Sequence, residues 1–150
     1  MRVVVQRVAS ASVSIAGSER ARIEVGLLLL VGIGEGDGDE DLSWMAGKIA
    51  RLRIFPDAAG LMNKSVVDID GGLLAISQFT LFAATAKGNR PSFIAAAKPE
   101  VAAPLYLRFL ELLAGEAQRP VGSGVFAADM QVALVNDGPV TIVIDSRRRE

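Results

Sequence analysis

The sequence predicts an α/β fold in which a mixed, largely antiparallel β-sheet forms a barrel-like core with two main helices. Three observations support this fold class. Segments rich in β-branched residues lie near both ends of the chain, a continuous apolar run lies between them, and two stretches have helical spacing. The 150 residues suffice for one domain with a sizeable core. A hydrophobic content of 51% is high for this size and predicts apolar surface buried against a second copy.

The first third of the chain is predicted to form strands. Met1–Val8 and Ala11–Ile15 carry β-branched residues in rough alternation, which is typical of β-structure. Gly17-Ser18-Glu19 is predicted to turn the chain, and residues 21–25 are predicted to return as a strand. The run from Leu27 to Ile33 is apolar throughout, as in a strand buried on both faces.

Two amphipathic helices are predicted, from about Asp39 to Arg53 and from about Pro99 to Ala114. Phe55-Pro56-Asp57 stops the first, while Gly115 is expected to cap the second and Pro104 to disturb its first turn. The expected apolar stripes are Leu42, Met45, Ala46, Ile49 and Leu52 in the first helix, and Val101, Leu105, Phe109 and Leu112 in the second.

An acidic, glycine-rich loop spans residues 34–39. We expect a solvated linker that precedes the first helix rather than a metal loop, because the glutamate that ends an EF-hand loop is missing at the required spacing.

The chain has no histidine and no cysteine. A histidine base, a Ser-His triad, a thiolate nucleophile, a disulfide framework and a His or Cys metal cluster are therefore excluded. The apolar run of residues 25–33 is too short to span a bilayer, which takes about 20 residues, and no basic N-terminal region leads into a long apolar stretch. A cytoplasmic protein without membrane association is expected. The net charge of -1 implies that any RNA partner is held through a local patch.

The most informative motif is Asn136-Asp137-Gly138-Pro139-Val140-Thr141. It follows the apolar run of residues 130–135 and precedes a last predicted strand, residues 140–144. Proline cannot donate to a sheet ladder, so the motif must end or sharply turn the first of these strands. Gly138 can adopt backbone angles that other residues avoid. Such a turn can aim two adjacent carbonyl oxygens in one direction.

A second motif, Ser77-Gln78-Phe79-Thr80-Leu81, closes the predicted strand of residues 71–76. Strand alternation would project Ser77 and Phe79 to one face, and Gln78 and Thr80 to the other. These side chains suit a pocket wall, although they also suit an ordinary strand end. Without a base, neither hydroxyl is an activated nucleophile. A backbone amide that stabilises a developing oxyanion is the more natural role.

Two further segments carry weaker indications. Lys87–Phe93 combines positive charge with a proline and an aromatic ring, so Arg90 suits a phosphate or carboxylate, while a solvated loop explains the segment equally well. Residues 55–65 read as a turn before a strand.

Taken in order, these segments resemble the D-aminoacyl-tRNA deacylases, formerly called D-tyrosyl-tRNA deacylases, over essentially the whole chain. The family usually has glycine where Ala127 stands. The two hallmark motifs are Ser77-Gln78-Phe79-Thr80 and residues 136–141, and the supporting stretches are Gln6-Arg7-Val8, Phe55-Pro56-Asp57 with Met62-Asn63, and residues 88–93.

The resemblance implies a hydrolase of the ester between a D-amino acid and the terminal adenosine of tRNA. It also implies a homodimer in which the Gly-cis-Pro turn of one subunit enters the active site of the other. There the carbonyls of Gly138 and Pro139 would hold the substrate's α-amino group and occupy the space that an L side chain needs. Glycine would be accepted, including glycyl-tRNA formed on the tRNA for alanine. Arg7 would brace the turn.

The resemblance also assigns the remaining site residues. Backbone amides near Phe79 and Thr80 would stabilise the oxyanion, and the ribose 2′-hydroxyl would assist the reaction. Thr80 is expected to position substrate rather than attack it, and no metal or cofactor is expected. Ser77, Gln78 and Ala102 would contact substrate, with Asn136 and Thr141 in support.

Two alternatives stay open at this point. One is a non-catalytic, homo-oligomeric module that binds small amino compounds through the same carbonyls. The other is an amide hydrolase that forms an acyl-enzyme on Thr80, for which the chain offers no base.

Overall fold

The computed structural model describes all 150 residues. Two helices, a short 3-10 helix and eight strands follow one another along the chain. The elements are β1 (Arg2–Ile15), β2 (Ser18–Ile23), β3 (Gly26–Gly32), α1 (Asp39–Arg51), β4 (Phe55–Pro56), β5 (Met62–Lys64), β6 (Gly72–Ser77), a 3-10 helix (Phe79–Phe82), α2 (Pro99–Ala117), β7 (Gly122–Ser123) and β8 (Gln131–Asp145).

The six-stranded main sheet is mixed, as predicted. Its order is β2-β1-β3-β6-β7, and β8 also pairs with β1. The pairs that involve β1 are antiparallel, whereas β3–β6 and β6–β7 are parallel. Because β2 also contacts β6 and β7, the sheet curls until it is nearly closed. The prediction of an α/β fold with two main helices is therefore confirmed, and β4 and β5 form a separate small hairpin.

Strand β1 is the centre of the sheet. The two strands predicted for residues 1–8 and 11–15 are one continuous strand, with irregular pairing to β8 around Val8. The hairpin to β2 turns at Ala16 and Gly17, which both have positive φ angles of 49° and 78°. This turn lies one residue earlier than the sequence predicted. Positive φ at both central residues matches the right-handed twist of the flanking strands.

The core lies on both faces of the sheet. A cluster of 22 buried residues packs between one face and the two helices, and six buried residues fill the other face. Within β3, Leu27 and Leu29 point to the larger cluster and Leu28 points to the smaller. The prediction of a strand buried on both faces is confirmed.

The helix boundaries differ from those predicted. Helix α1 ends at Arg51 rather than Arg53, because Leu52 is already extended with φ -66° and ψ 118°. Helix α2 continues to Ala117, and Gln118 caps it in the left-handed conformation with φ 52°. The prediction of Gly115 as the cap was wrong, since this residue lies inside the helix.

The buried face of α2 is rotated from the predicted stripe. Val101 is half exposed, while Leu105 and Leu112 are only partly buried, so only Phe109 was placed correctly. Pro104 lies inside the helix without ending it. The buried residues of α2 are Ala102, Tyr106, Phe109, Leu113 and Ala117.

The acidic loop before α1 is not simply solvated, which corrects the prediction. The Asp37 side chain is only 1% exposed and forms ion pairs with the Met1 ammonium at 2.6 Å and with Arg147 at 3.2 Å. Its Oδ2 also accepts a 2.6 Å hydrogen bond from the Gly34 amide. No group of three or more acidic side chains is arranged to hold a metal ion. Neither helix is long and apolar enough to cross a membrane.

Candidate active site

A mainly apolar cavity of about 540 Å³ opens where β3 and β6 end. The start of α2 and the segment of residues 126–132 complete its walls. Twelve of the sixteen lining residues are hydrophobic, and a few polar groups in an apolar cleft of this size are typical of a small-molecule site. Three of the predicted substrate-binding residues line it, namely Ser77, Gln78 and Ala102, together with Phe79.

The motif that follows β6 presents backbone amides beside this cavity. The alternation expected beyond Ser77 does not occur, because the chain turns into the 3-10 helix. The first hydrogen bond of this turn runs from the Leu81 amide to the Gln78 carbonyl at 3.3 Å. The amides of Phe79 and Thr80 precede it, so the 3-10 helix supplies them with no acceptor. They remain donors for a ligand.

The Thr80 hydroxyl is held by its neighbour. It accepts a 2.5 Å hydrogen bond from the Gln78 side-chain amide, and both side chains are solvent-accessible. Thr80 does not line the cavity. With no histidine in the chain, the contact that orients this hydroxyl comes from an amide and not from a base.

Helix α2 supplies another wall of the cavity through Ala102 and Tyr106. The Tyr106 hydroxyl donates a 2.9 Å hydrogen bond to the Ala75 carbonyl and so ties the helix to β6. Burial raises the pKa of Tyr106 well above its usual value, so this phenol stays protonated and remains a donor. Its ring lies 6.1 Å from that of Phe126, on the adjoining wall.

The loop that contains Arg90 folds back beside the motif. Ala84 and Ser92 exchange two backbone hydrogen bonds, of 2.8 and 3.0 Å. This pairing brings Phe93 edge-on to Phe79, with ring centroids 5.1 Å apart and planes at 73°. Arg90 itself is exposed.

The Gly138–Pro139 motif forms a bulge within β8 instead of ending the strand. In the β1–β8 register, the pairs Gln6–Thr141 and Val8–Asn136 leave Arg7 alone opposite the four residues 137–140. The Gly138–Pro139 bond is cis, Gly138 has a φ of +117°, and both residues are exposed. The bulge therefore projects from the edge of the sheet.

Side chains on both strands brace this bulge. The Asn136 side-chain amide donates to the carbonyls of Arg7 and Val140, at 2.9 and 3.1 Å, and Thr141 donates to Asn136 at 3.3 Å. Arg7 lies 2.9 Å from the Asp137 carboxylate and donates a 2.6 Å hydrogen bond to the Ile54 carbonyl. Arg7, Asn136 and Thr141 therefore all contact the turn or its flanks.

The structure thus groups the predicted site residues into two places. Ser77, Gln78, Phe79 and Ala102 meet at the cavity, whereas neither Gly138 nor Pro139 lines the cavity of its own chain.

Comparison with known proteins identifies the family. Residues 4–145 match the family model described as D-Tyr-tRNA(Tyr) deacylase. The chain belongs to this family. Similar deacylase-family proteins include the D-aminoacyl-tRNA deacylases of Opitutus terrae, 57% identical, and Flavobacterium johnsoniae, 53% identical, each aligned over 100% of both chains.

Two solved structures resemble this deacylase-family chain. The c-Myc DNA unwinding element binding protein is 41% identical with a TM-score of 0.90, and the match covers 97% of this chain and 98% of that one. A probable eukaryotic D-amino acid tRNA deacylase is 18% identical with a TM-score of 0.79, and the match covers 95% of this chain and 97% of that one. At that identity it shows the fold alone.

Ala127 departs from the expected deacylase pattern at a position with an unusual backbone conformation. Ala127, for which the resemblance led us to expect glycine, has a φ of +61° and lines the cavity. That left-handed angle is the conformation that glycine adopts at least cost.

Sequence reasoning missed Tyr106 and the wall of residues 126–130. The spacing of Ala102, Tyr106, Phe109 and Leu113 would have indicated the buried face of α2, but alanine is a weak marker of a core position. Residues 126–130 include a turn without periodicity, so no pattern marked them.

Proposed function

We propose that this chain hydrolyses the ester bond of D-aminoacyl-tRNA and releases the free D-amino acid and the tRNA. The observation that carries the proposal is the pair of Phe79 and Thr80 amides, left without helical acceptors beside an apolar cavity. Family membership and the names of the similar proteins support the choice of substrate. The proposed place of action is the cytoplasm.

The reaction needs little from side chains because an aminoacyl ester is already activated. Water adds to the ester carbonyl, and the negative charge that develops on its oxygen is stabilised by the amides of Phe79 and Thr80. Loss of one such donor typically costs about 100- to 1,000-fold in rate. The bond to the ribose 3′-oxygen then breaks, and that oxygen takes up a proton. The ribose 2′-hydroxyl assists, while Ser77 and Gln78 hold the substrate in place.

We propose that selection of the D isomer requires a homodimer, in which the bulge of one subunit enters the cavity of the other. The exposed bulge at Gly138–Pro139 lies outside the cavity of its own chain, so a partner's cavity is the natural place for its carbonyls. They would accept hydrogen bonds from the α-ammonium group and fill the space required by an L side chain. Apolar side chains exposed on β8 before the bulge are consistent with a subunit contact there, since Leu134 and Val135 are 37% and 58% exposed.

The same filter admits glycine, because glycine has no side chain to reject. Glycyl-tRNA formed on the tRNA for alanine is therefore a proposed second substrate. Its cleavage at a rate comparable to that of a D-aminoacyl ester would follow from a filter that acts only by exclusion.

The test is hydrolysis of one tRNA charged with either D- or L-tyrosine, with the mass of the protein measured under the same conditions. Rapid loss of the D ester, slow loss of the L ester and a dimeric mass are expected. A fully active monomer would contradict the trans arrangement. Binding without cleavage would instead support the non-catalytic module, and a trapped acyl-Thr80 species would support the amide hydrolase.

A further inference from the structure

A second large cavity lies between α1 and the end of β8. This groove, about 820 Å³ in volume, is called here the Trp44 groove. Its lining includes four cationic side chains and two carboxylates, which are Arg2, Lys48, Arg148, Arg149, Asp145 and Glu150. None of these residues belongs to the apolar cavity described above.

The groove has an excess of positive charge. Arg2 pairs with Asp145 at 2.8 Å and Arg148 with Glu150 at 2.7 Å, so both carboxylates are neutralised within the groove. Two cations remain. Lys48 forms no ion pair. Arg149 donates a hydrogen bond to the uncharged Ser146 carbonyl at 2.8 Å, and its one ion pair is with the exposed Glu40 carboxylate outside the groove, at 3.4 Å. In a chain of net charge -1, this is a local patch of the kind that attracts a polyanion.

Both remaining cations lie over an aromatic ring. The Arg149 guanidinium is 4.5 Å from the Trp44 ring centroid, and the Lys48 ammonium is 5.6 Å from it. Trp44 is partly buried, so the ring holds the two long side chains at the surface. The cations match the charge of a phosphodiester backbone, and the ring fixes their position.

Arg2 connects the groove to the 3-10 helix beside the proposed active site. Its guanidinium donates a 3.1 Å hydrogen bond to the Leu81 carbonyl and lies 4.6 Å from the centre of the Phe82 ring. Both contacts are with the 3-10 helix that presents the Phe79 and Thr80 amides. An RNA whose 3′ end occupies the cavity therefore has backbone close to the groove.

We infer that the Trp44 groove binds the phosphodiester backbone of the tRNA substrate. This inference rests on the proposed function and adds a second contact, away from the ester, that recognises charge rather than chirality. Phosphate contacts position a nucleic acid without reading its sequence, so the groove serves any tRNA alike.

The test compares Lys48→Gln/Arg149→Gln with the parent protein and with the control Arg20→Gln/Lys64→Gln, which removes two exposed charges elsewhere. Removal of two phosphate contacts, each worth a salt slope of about 0.8, raises KM for D-aminoacyl-tRNA roughly 20-fold at 0.15 M salt and leaves kcat unchanged. The dependence of log KM on log salt becomes less steep by about 1.6. Hydrolysis of the corresponding D-aminoacyl-adenosine, which has no phosphates, stays at the parent rate.

Trp44 gives an independent reading because it is the only tryptophan in the chain. Deacylated tRNA added to the parent protein should change the indole emission, and the groove variant should need a higher concentration for the same change. Thermal unfolding confirms that the variant is folded.

Unchanged KM and salt slope in the folded groove variant would overturn the inference. So would an indole emission of the parent protein that does not change when tRNA is added. A change in subunit mass without a change in KM would assign the groove to a subunit contact and would also overturn it. Failure of the proposed function looks different, since the parent protein would then cleave neither the tRNA ester nor the adenosine ester.

Discussion

Gly138→Ala tests the proposed chirality filter through backbone geometry. A Cβ atom at this position would lie 2.8 Å from Arg7 Nη2 and 2.9 Å from Val140 Cγ2, closer than such atoms normally approach. Arg7 cannot simply swing away, because it is paired with Asp137 and bonded to the Ile54 carbonyl. The bulge must move instead.

The cost is both structural and kinetic. The φ of +117° is strained for an L residue, and such strain costs about 1–3 kcal/mol. In a chain of this length each kcal/mol lowers Tm by roughly 2–4 °C. A displacement of about 1 Å in a positioning group can cost on the order of 100-fold in rate. We therefore expect modest destabilisation and a fall of about two orders of magnitude in D-aminoacyl-tRNA hydrolysis.

Gly60→Ala is the matched control. Gly60 also has a positive φ, +81°, but nothing lies within 4 Å of a Cβ placed there. This variant should show a similar loss of Tm and the parent rate, as measured by thermal unfolding and initial rates on D- and L-esters. If Gly138→Ala folds as the parent does and keeps both its rate and its preference for D over L, the filter proposed for this turn is wrong.

Four further outcomes are expected. Thr80→Ala should keep a measurable part of the hydrolysis rate and show no acyl-enzyme by mass spectrometry, because an amide and not a base orients this hydroxyl. Arg7→Lys keeps the charge but loses the guanidinium fork that joins Asp137 of the bulge to the Ile54 carbonyl, so single-turnover rates should fall while thermal unfolding changes little. Tyr106→Phe leaves the buried Ala75 carbonyl without its donor and should cost about 1–3 kcal/mol in urea unfolding. Burial opposes ionisation of Asp41, but hydrogen bonds from a serine and an amide outweigh it and hold the pKa of Asp41 below 3.8. Ionised Asp41 therefore stabilises the fold above that pH, and this contribution is lost as the pH falls through the lowered pKa. Asp41→Asn should remove that part of the acid sensitivity.

Local patterns predicted the elements that position the site. The strand that ends at Ser77 and the glycine-proline motif of β8 are visible because breakers and turn formers interrupt apolar runs. The bulge itself was less predictable. Residues 130–135 and 140–144 read as two strands, and only the register with β1 shows that they are one strand with four residues looped out.

Long-range contacts decided the features that the sequence did not predict. Asp37 lies in a glycine-rich acidic loop and looks solvated, yet Arg147, far along the chain, and the Met1 ammonium bury it. The phase of α2 was missed for a related reason. Ala102 and Ala117 are buried by the elements packed against them, whereas the larger Leu112 lies nearer the surface.

The brace around the bulge joins residues 129 positions apart, from the Asn136 side chain to the Arg7 carbonyl. Closing a loop of that length costs about 4 kcal/mol in chain entropy on the logarithmic scaling, and pairing so distant is slow to form. During synthesis on the ribosome, β1 emerges before β8. Until β8 pairs with it, the edge of β1 that β8 will cover is exposed to other chains. A nascent chain that already contains residues 77–80 has the amides proposed for ester cleavage but not the turn proposed to choose between isomers. The discriminating element is therefore the last to be put in place, and chiral selection depends on completion of the sheet.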